Sequence, residues 1–366
     1  MLKSCFSLLQ FQSNLSITRL LQLKGLINSN FLRLYSTTNK ISKLPEKEPT
    51  NKLISCLKLM RADKPIGTWL LYWPGAWSIA LSASPGCLPD AYLLGLFGVG
   101  SFLMRSAGCI LNDLWDQDID KKVSRTKSRP LANGELTEKE AVLLLGGLLS
   151  ASLAVLLQLN SFSIILGASS LWLVVVYPLA KRFTNWPQLV LGATFNWGAL
   201  LGCTAVTGKF VPEICIPLYL ACICWTMIYD TIYAFQDKKE DVLIGLGSTA
   251  ITFDKNREAW LNFFGLTMML NLLYSGYMQE LPWPFFVSLL VSSSHLIWQI
   301  KTLKIDNNFD CLKKFNSNKF IGITILIGII LSNLIKNNEE VMEERDDDEE
   351  ENYGINKRNM NINFYC

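Results

Sequence analysis

Nine apolar runs dominate this chain, at residues 66–82, 91–111, 141–157, 162–179, 189–206, 211–232, 260–277, 283–300 and 320–334. Each approaches the ~20 residues with which a helix crosses a hydrocarbon core. In lipid, every backbone polar group must pair inside its own segment, which a helix does and a lone strand does not. The pattern therefore predicts an all-α, polytopic membrane protein with nine transmembrane helices. Pro, Gly and charged residues punctuate the runs, as at 85–89, 133–134 and 282–284.

The charge between the runs sets an orientation. Loops after the second, fourth, sixth and eighth runs carry 17 Lys and Arg residues, whereas the alternate loops carry only Lys209. By the positive-inside rule the basic loops face the side equivalent to the cytoplasm. The N-terminal region names that compartment. No Asp or Glu precedes Glu46, while Lys3, Arg19, Lys24 and Arg33 are spread among Ser, Leu, Phe and Asn. That is the composition of a mitochondrial transit peptide. Residues 1–35 are expected to be removed after Arg33-Leu34-Tyr35, leaving Ser36 as the mature start. Residues 36–53 form an N-terminal matrix segment, 54–335 the membrane domain, and 336–366 a disordered acidic and Asn-rich tail. Residues 339–351 hold ten acidic side chains against one Arg, so the net charge of +3 conceals +12 elsewhere. The expected location is the inner mitochondrial membrane, with the basic loops in the matrix. Ten scattered cysteines without a C-x-x-C, and a single His at 295, argue against a disulfide framework, a zinc site or a Cys–His nucleophile.

Two runs end in acid. Residues 112–120 read N-D-L-W-D-Q-D-I-D, four carboxylates in eight positions. On a continuous helix Asp113, Asp116 and Asp120 share a narrow arc with Asn112 on its flank, and Asp118 points away. Residues 230–241 read D-T-I-Y-A-F-Q-D-K-K-E-D, and on a helix Asp230, Tyr233, Asp237 and Asp241 form one stripe. Carboxylates packed at a membrane helix end need a counter-charge. Mg²⁺, which takes oxygen ligands and shares them with phosphate, supplies one. Lys121, Lys122, Arg125, Lys127 and Arg129 follow the first stripe, the right chemistry for phosphate oxygens. A pair of solvated loops is the bland reading of the same residues. Two acidic stripes, each after an apolar run and each running into lysines, point instead to half-sites that face one another. Such a mouth suits a substrate anionic at one end and greasy at the other, and polyprenyl diphosphate is such a molecule. A metabolite or cation carrier is the alternative from another class, since carriers also use intramembrane carboxylates. Clustering at helix ends, not mid-membrane, weighs against it.

N-D-x-x-D-x-x-x-D at 112–120 and D-x-x-Y-A-x-Q-D at 230–237 resemble the two signatures of the UbiA superfamily of intramembrane prenyltransferases. M-R-A-D-K-P-I-G-T-W-L-L at 60–71, R-T-K-S-R-P-L at 125–131, Y-P-L-A-K-R at 177–182, P-Q-L-V-L-G at 187–192 and D-V-L-I-G-L-G-S-T-A at 241–250 resemble its branch acting on 4-hydroxybenzoate. The resemblance covers roughly residues 54–334. It implies a nine-helix bundle around a central cavity, Mg²⁺, a polyprenyl diphosphate donor, and C-prenylation of 4-hydroxybenzoate ortho to its hydroxyl, the membrane step of ubiquinone biosynthesis. Other aromatic acceptors within the superfamily are the nearer alternative. It implies Asn112, Asp113, Asp116 and Asp120 as the first metal–diphosphate motif and Asp237 and Asp241 as the second. Arg125, Arg129, Lys121 and Lys238 are candidate diphosphate contacts. Asp230 is placed to hydrogen-bond or deprotonate the phenol, and Tyr233 to position a substrate. Arg61, Lys64 and Arg182 are the candidates for the benzoate carboxylate. Glu240 departs from the Asp often found there, which leaves its role as a metal ligand open. Arg105 lies inside the second run, where a charge needs a partner or a cavity. Trp69, Trp73 and Trp77 either line the prenyl path or pack between helices. Partners are the two substrates and membrane lipid, with other ubiquinone-biosynthesis proteins as candidates and no nucleic acid.

Overall fold

A computed structural model describes residues 51–362, with side chains given up to Lys336 except at Lys181. The transit-peptide reading and most of the N-terminal matrix segment lie outside the described residues. A short helix α1 (Lys52–Leu59) precedes α2 (Ile66–Leu81), α3 (Ala91–Trp115), α4 (Glu138–Leu156), α5 (Ser161–Leu179), α6 (Pro187–Thr207), α7 (Pro212–Ala234), α8 (Arg257–Met278), α9 (Trp283–Lys301) and α10 (Asn308–Ile362). Small interruptions occur within α5 and α6, as at Asn196, where φ is −94° and ψ 12°. The nine expected spans are all helical. Six of them, α3 to α7 and residues Asn308–Lys336 of α10, are long and apolar enough to cross a membrane, whereas α2, α8 and α9 do not meet that standard. The backbone of α10 continues through the acidic run that composition reads as a disordered tail.

Local chemistry sets the helix ends. Asp90 caps α3 by accepting from the backbone of Tyr92 and Leu93 at 2.8 and 3.1 Å. Thr137 and Glu140 form a reciprocal capping box on α4. Pro187 and Pro212 start α6 and α7, where a missing N–H costs nothing. Gly208, at φ +72°, ends α6 in the left-handed conformation that glycine adopts without strain.

Neighbouring helices pack in the order α5, α6, α7, α8, α9, α10, α2, α3, α4, and α2 also lies against α6. The α2–α6 contact is close because small residues meet there. A Cβ on Gly198 would sit 3.3 Å from the backbone nitrogen of Gly75, and Ser78 Oγ donates to the Ala199 carbonyl at 2.6 Å. Trp77 of α2 stacks on Trp225 of α7 with centroids 5.1 Å apart. Trp225 Nε1 in turn donates to Asn318 Oδ1 of α10 at 2.9 Å. Lipid offers no hydrophobic drive between helices, so this shape-matching and these polar ties hold the bundle.

Candidate active site

The two acidic segments meet at the mouth of one cavity of about 1600 Å³. Its wall runs from Asp113, Asp237 and Asp241 down past Arg105 to Leu96, Leu156 and Trp197. Along α3 the 17 steps from Leu96 to Asp113 give a depth of ~25 Å at 1.5 Å per residue. The cavity is therefore polar at one end and mostly apolar along its length.

Neither stripe lies on one continuous helix, and this corrects the sequence expectation. Asp116 leaves α3 with φ −101° and ψ 12°, and a separate turn, Gln117–Asp120, follows. Likewise α7 ends at Ala234, and Asp241 sits on a second short helix, Lys238–Ile244. Despite the breaks, part of each acidic set lies on the cavity wall. Asn112, Asp113, Asp230, Tyr233, Asp237 and Asp241 line it, whereas Asp116 and Asp120 are buried beside it.

Arginines hold these acids. Asp113 is 1% exposed, and an ionised group so buried needs paired donors. Arg61 Nη2 donates to both its oxygens at 2.8 Å, and Arg129 Nη1 reaches it at 2.9 Å and Asp120 at 2.6 Å. Arg61 supplies its contact from a left-handed backbone, φ +58°, unusual for a residue with a side chain, at the turn between α1 and α2. Across the mouth, Arg125 forks onto Asp237, with Nε at 2.7 Å, and donates to Tyr233 Oη at 3.0 Å. Arg182 reaches Asp116 at 3.4 Å and the Trp115 carbonyl at 3.0 Å. Burial raises the Asp120 carboxyl above its ordinary value against the opposing pull of Arg129. Burial works against the charge on Arg125, but its bond to Asp237 outweighs this and strengthens its hold on the proton.

Other expected residues lie apart. Lys121 pairs with exposed Asp118 at 3.1 Å, and Lys238 with Asp254 at 2.5 Å, and neither lysine lines the cavity. Arg182 also stays off its wall, whereas Lys64 is on it. Of the three tryptophans, Trp69 lines the cavity while Trp73 and Trp77 are buried in the core. His295 packs between helices and meets Ser317 Oγ at 3.1 Å.

Arg105 is the residue that sequence reasoning flagged without giving it a role. It lines the cavity below Asp113, its Nε is buried without a hydrogen-bond partner, and its guanidinium lies 5.9 Å from the Phe195 ring centroid. It touches Cys109 Sγ, and Gly67 leaves it room, since any Cβ there would collide with it. The signal was a lone cation inside an apolar run.

Among the described residues no three Asp, Glu, His or Cys side chains gather as a ready-made metal cage. The donor set still fits Mg²⁺. It is all oxygen, and Mg²⁺ is ordinarily held by one or two carboxylates plus substrate phosphates. Asp113 on one side and Asp237 on the other are such carboxylates, each now carried by an arginine that also suits phosphate.

Fold and site together define a helical membrane protein whose central cavity is apolar in its depth and lined by paired acids and arginines at its mouth. This chain belongs to the UbiA prenyltransferase family, whose pattern matches residues 71–323. It is 55% identical over 295 residues to a Caenorhabditis elegans protein named "4-hydroxybenzoate polyprenyltransferase, mitochondrial", covering 81% of this chain and 83% of that one. The human protein of the same name is 53% identical over 283 residues, 77% of this chain and 76% of that one. Among solved structures, an apo UbiA homolog from Aeropyrum pernix K1 matches with a TM-score of 0.61 at 25% identity, over 72% of this chain and 97% of its own. A UbiA homolog from Archaeoglobus fulgidus, bound to GPP and Mg²⁺, shares the fold with a TM-score of 0.55 at 20% identity, over 75% of this chain and 99% of its own.

Proposed function

We propose that this protein transfers a polyprenyl group from polyprenyl diphosphate to the ring of 4-hydroxybenzoate, ortho to the hydroxyl, in ubiquinone biosynthesis. The reaction is placed at the inner mitochondrial membrane with the cavity mouth toward the matrix. One observation carries the reading: arginine-bound carboxylates from both acidic segments crown a single apolar cavity. Relatives more than half identical to this chain bear names of that activity, which leaves the carrier reading without support.

Mg²⁺, held by Asp113 with Asn112 beside it and by Asp237 with Asp241, would supply positive charge to the diphosphate. Arg61, Arg125 and Arg129 turn from carboxylates to phosphate oxygens as the donor arrives, matching a fork to an oxyanion. Loss of the diphosphate leaves an allylic cation in a water-poor pocket. Tyr233, Phe315 and Tyr229 stand at that level, with Tyr233 and Phe315 centroids 4.7 Å apart, and their ring faces shelter positive charge. Asp230, on the same wall, accepts the phenol proton or its hydrogen bond, which makes the ring richer at the ortho carbon. Arg105, inside the cavity and free of any described carboxylate bond, suits the acceptor's own carboxylate better than Arg61 or Arg182, which already hold aspartates.

A panel of acceptors tests this. With one donor and Mg²⁺, membranes containing the protein should prenylate 4-hydroxybenzoate, and should act at least tenfold less well on phenol and on benzoate. Transfer to homogentisate with none to 4-hydroxybenzoate would keep the chemistry and overturn the acceptor.

A further inference from the structure

Glu240 sits in sequence between two site acids but off the main cavity that both of them line. On the helix Lys238–Ile244, Asp241 turns to the cavity wall that Asp237 also lines. Glu240, about 100° round from Asp241, lies instead off that wall, on an adjoining cavity of about 350 Å³ with Ser124 and Asp306, which Arg125 and Asp237 also line. There its Oε1 accepts from Ser124 Oγ at 2.5 Å and from the Ser124 backbone N–H at 3.4 Å. Ser124 belongs to the other half of the mouth, 116 residues away in sequence. The next residue is Arg125, whose fork holds Asp237 and Tyr233.

We propose that Glu240 is a positioning residue that clamps Ser124, and through it sets Arg125 where the diphosphate binds, and that it holds no metal. The segment carrying Arg125 is built of turns. On its far side Thr126 Oγ1 is tied inward, to the carbonyls of Asp120 at 3.1 Å and Val123 at 3.4 Å. The Glu240 bonds tie the near side to the facing half of the mouth. A tie on each side of one arginine fixes its direction, and a guanidinium recognises an oxyanion by direction as much as by charge. The contact also uses the reach of Glu: an Asp at 240 would fall one methylene short of Ser124. This proposal rests on the prenyl-transfer reading for its substrate.

The two roles predict opposite tolerances. A clamp needs length and one acceptor oxygen, so E240Q should keep the donor KM within about twofold. E240D and S124A should each raise it about fivefold, with kcat changed less than twofold. The double variant E240D/S124A should be no worse than either single one, because one bond is lost only once. A metal ligand needs charge, so it would tolerate Asp and fail with Gln. As a readout apart from turnover, Mn²⁺ binding to the full chain in detergent, followed by electron paramagnetic resonance, should be unchanged in E240Q and weakened in D237N. Weak Mn²⁺ binding by E240Q, or additive effects of E240D and S124A on the donor KM, would overturn the clamp. A wild type without turnover would sink the transfer reading instead, and the Mn²⁺ titration would still decide whether Glu240 is a ligand.

Discussion

Two arginines show how a residue's partners distinguish cations on one wall, only the first of which sequence offered for a ligand. Arg61 and Arg105 are both cations on one cavity, yet Arg61 is bound through Nη2 to both oxygens of Asp113 while Arg105 meets a thiol and an aromatic ring. A held cation must exchange partners to take a ligand, whereas Arg105 has buried capacity to spare. Arg105→Gln should therefore raise the KM for 4-hydroxybenzoate more than tenfold and leave the donor KM within about twofold. Steady-state kinetics with each substrate varied in turn checks this, and a rise confined to the donor would assign Arg105 to the diphosphate. That acids of the two segments would gather at one place was legible from spacing. Their partners were not, because Arg61 and Asp113 are 52 residues apart and only the bundle brings them together.

At the level of elements, apolar runs announced the helices well, since lipid leaves a segment of that length and composition few other ways to satisfy its backbone. Helix ends were read less well. The expected stripes assumed that α3 and α7 run on past Trp115 and Ala234, and no Gly or Pro near either break warned otherwise. The ties between helices were also hidden, because Trp225 is unremarkable inside an apolar run and Asn318 is one polar residue among several just before another. Asn318→Leu would leave the Trp225 N–H unpaired in the span, and interhelical bonds of this kind are worth ~0.6–1.7 kcal/mol. Thermal unfolding in detergent should fall by a few degrees with substrate kinetics unchanged. An unshifted midpoint would mean that shape-matching alone holds α7 to α10.

For the whole molecule, the reading joins a basic, acid-free N-terminal region, alternate loops rich in lysine and arginine, and a cavity whose charged mouth lies beside those loops. Together these support the proposal that the chemistry lies on the matrix side of the inner membrane. N-terminal sequencing of the protein from mitochondria should find Ser36 first, and a chain retaining residues 1–35 would contradict import by a cleaved leader. The central claim is that the acidic mouth makes the prenyl donor reactive through a divalent metal. Prenyl transfer to 4-hydroxybenzoate by membranes containing the protein, measured across Mg²⁺ concentrations, tests it most directly beside Asp113→Asn. Asn keeps acceptor oxygen for Arg61 and Arg129 but loses the charge that a metal needs. The account predicts product from the wild type that EDTA abolishes and Mg²⁺ restores, and at least a hundredfold less from the variant at any Mg²⁺ concentration. Product that survives EDTA, or a variant as active as the wild type, would contradict it.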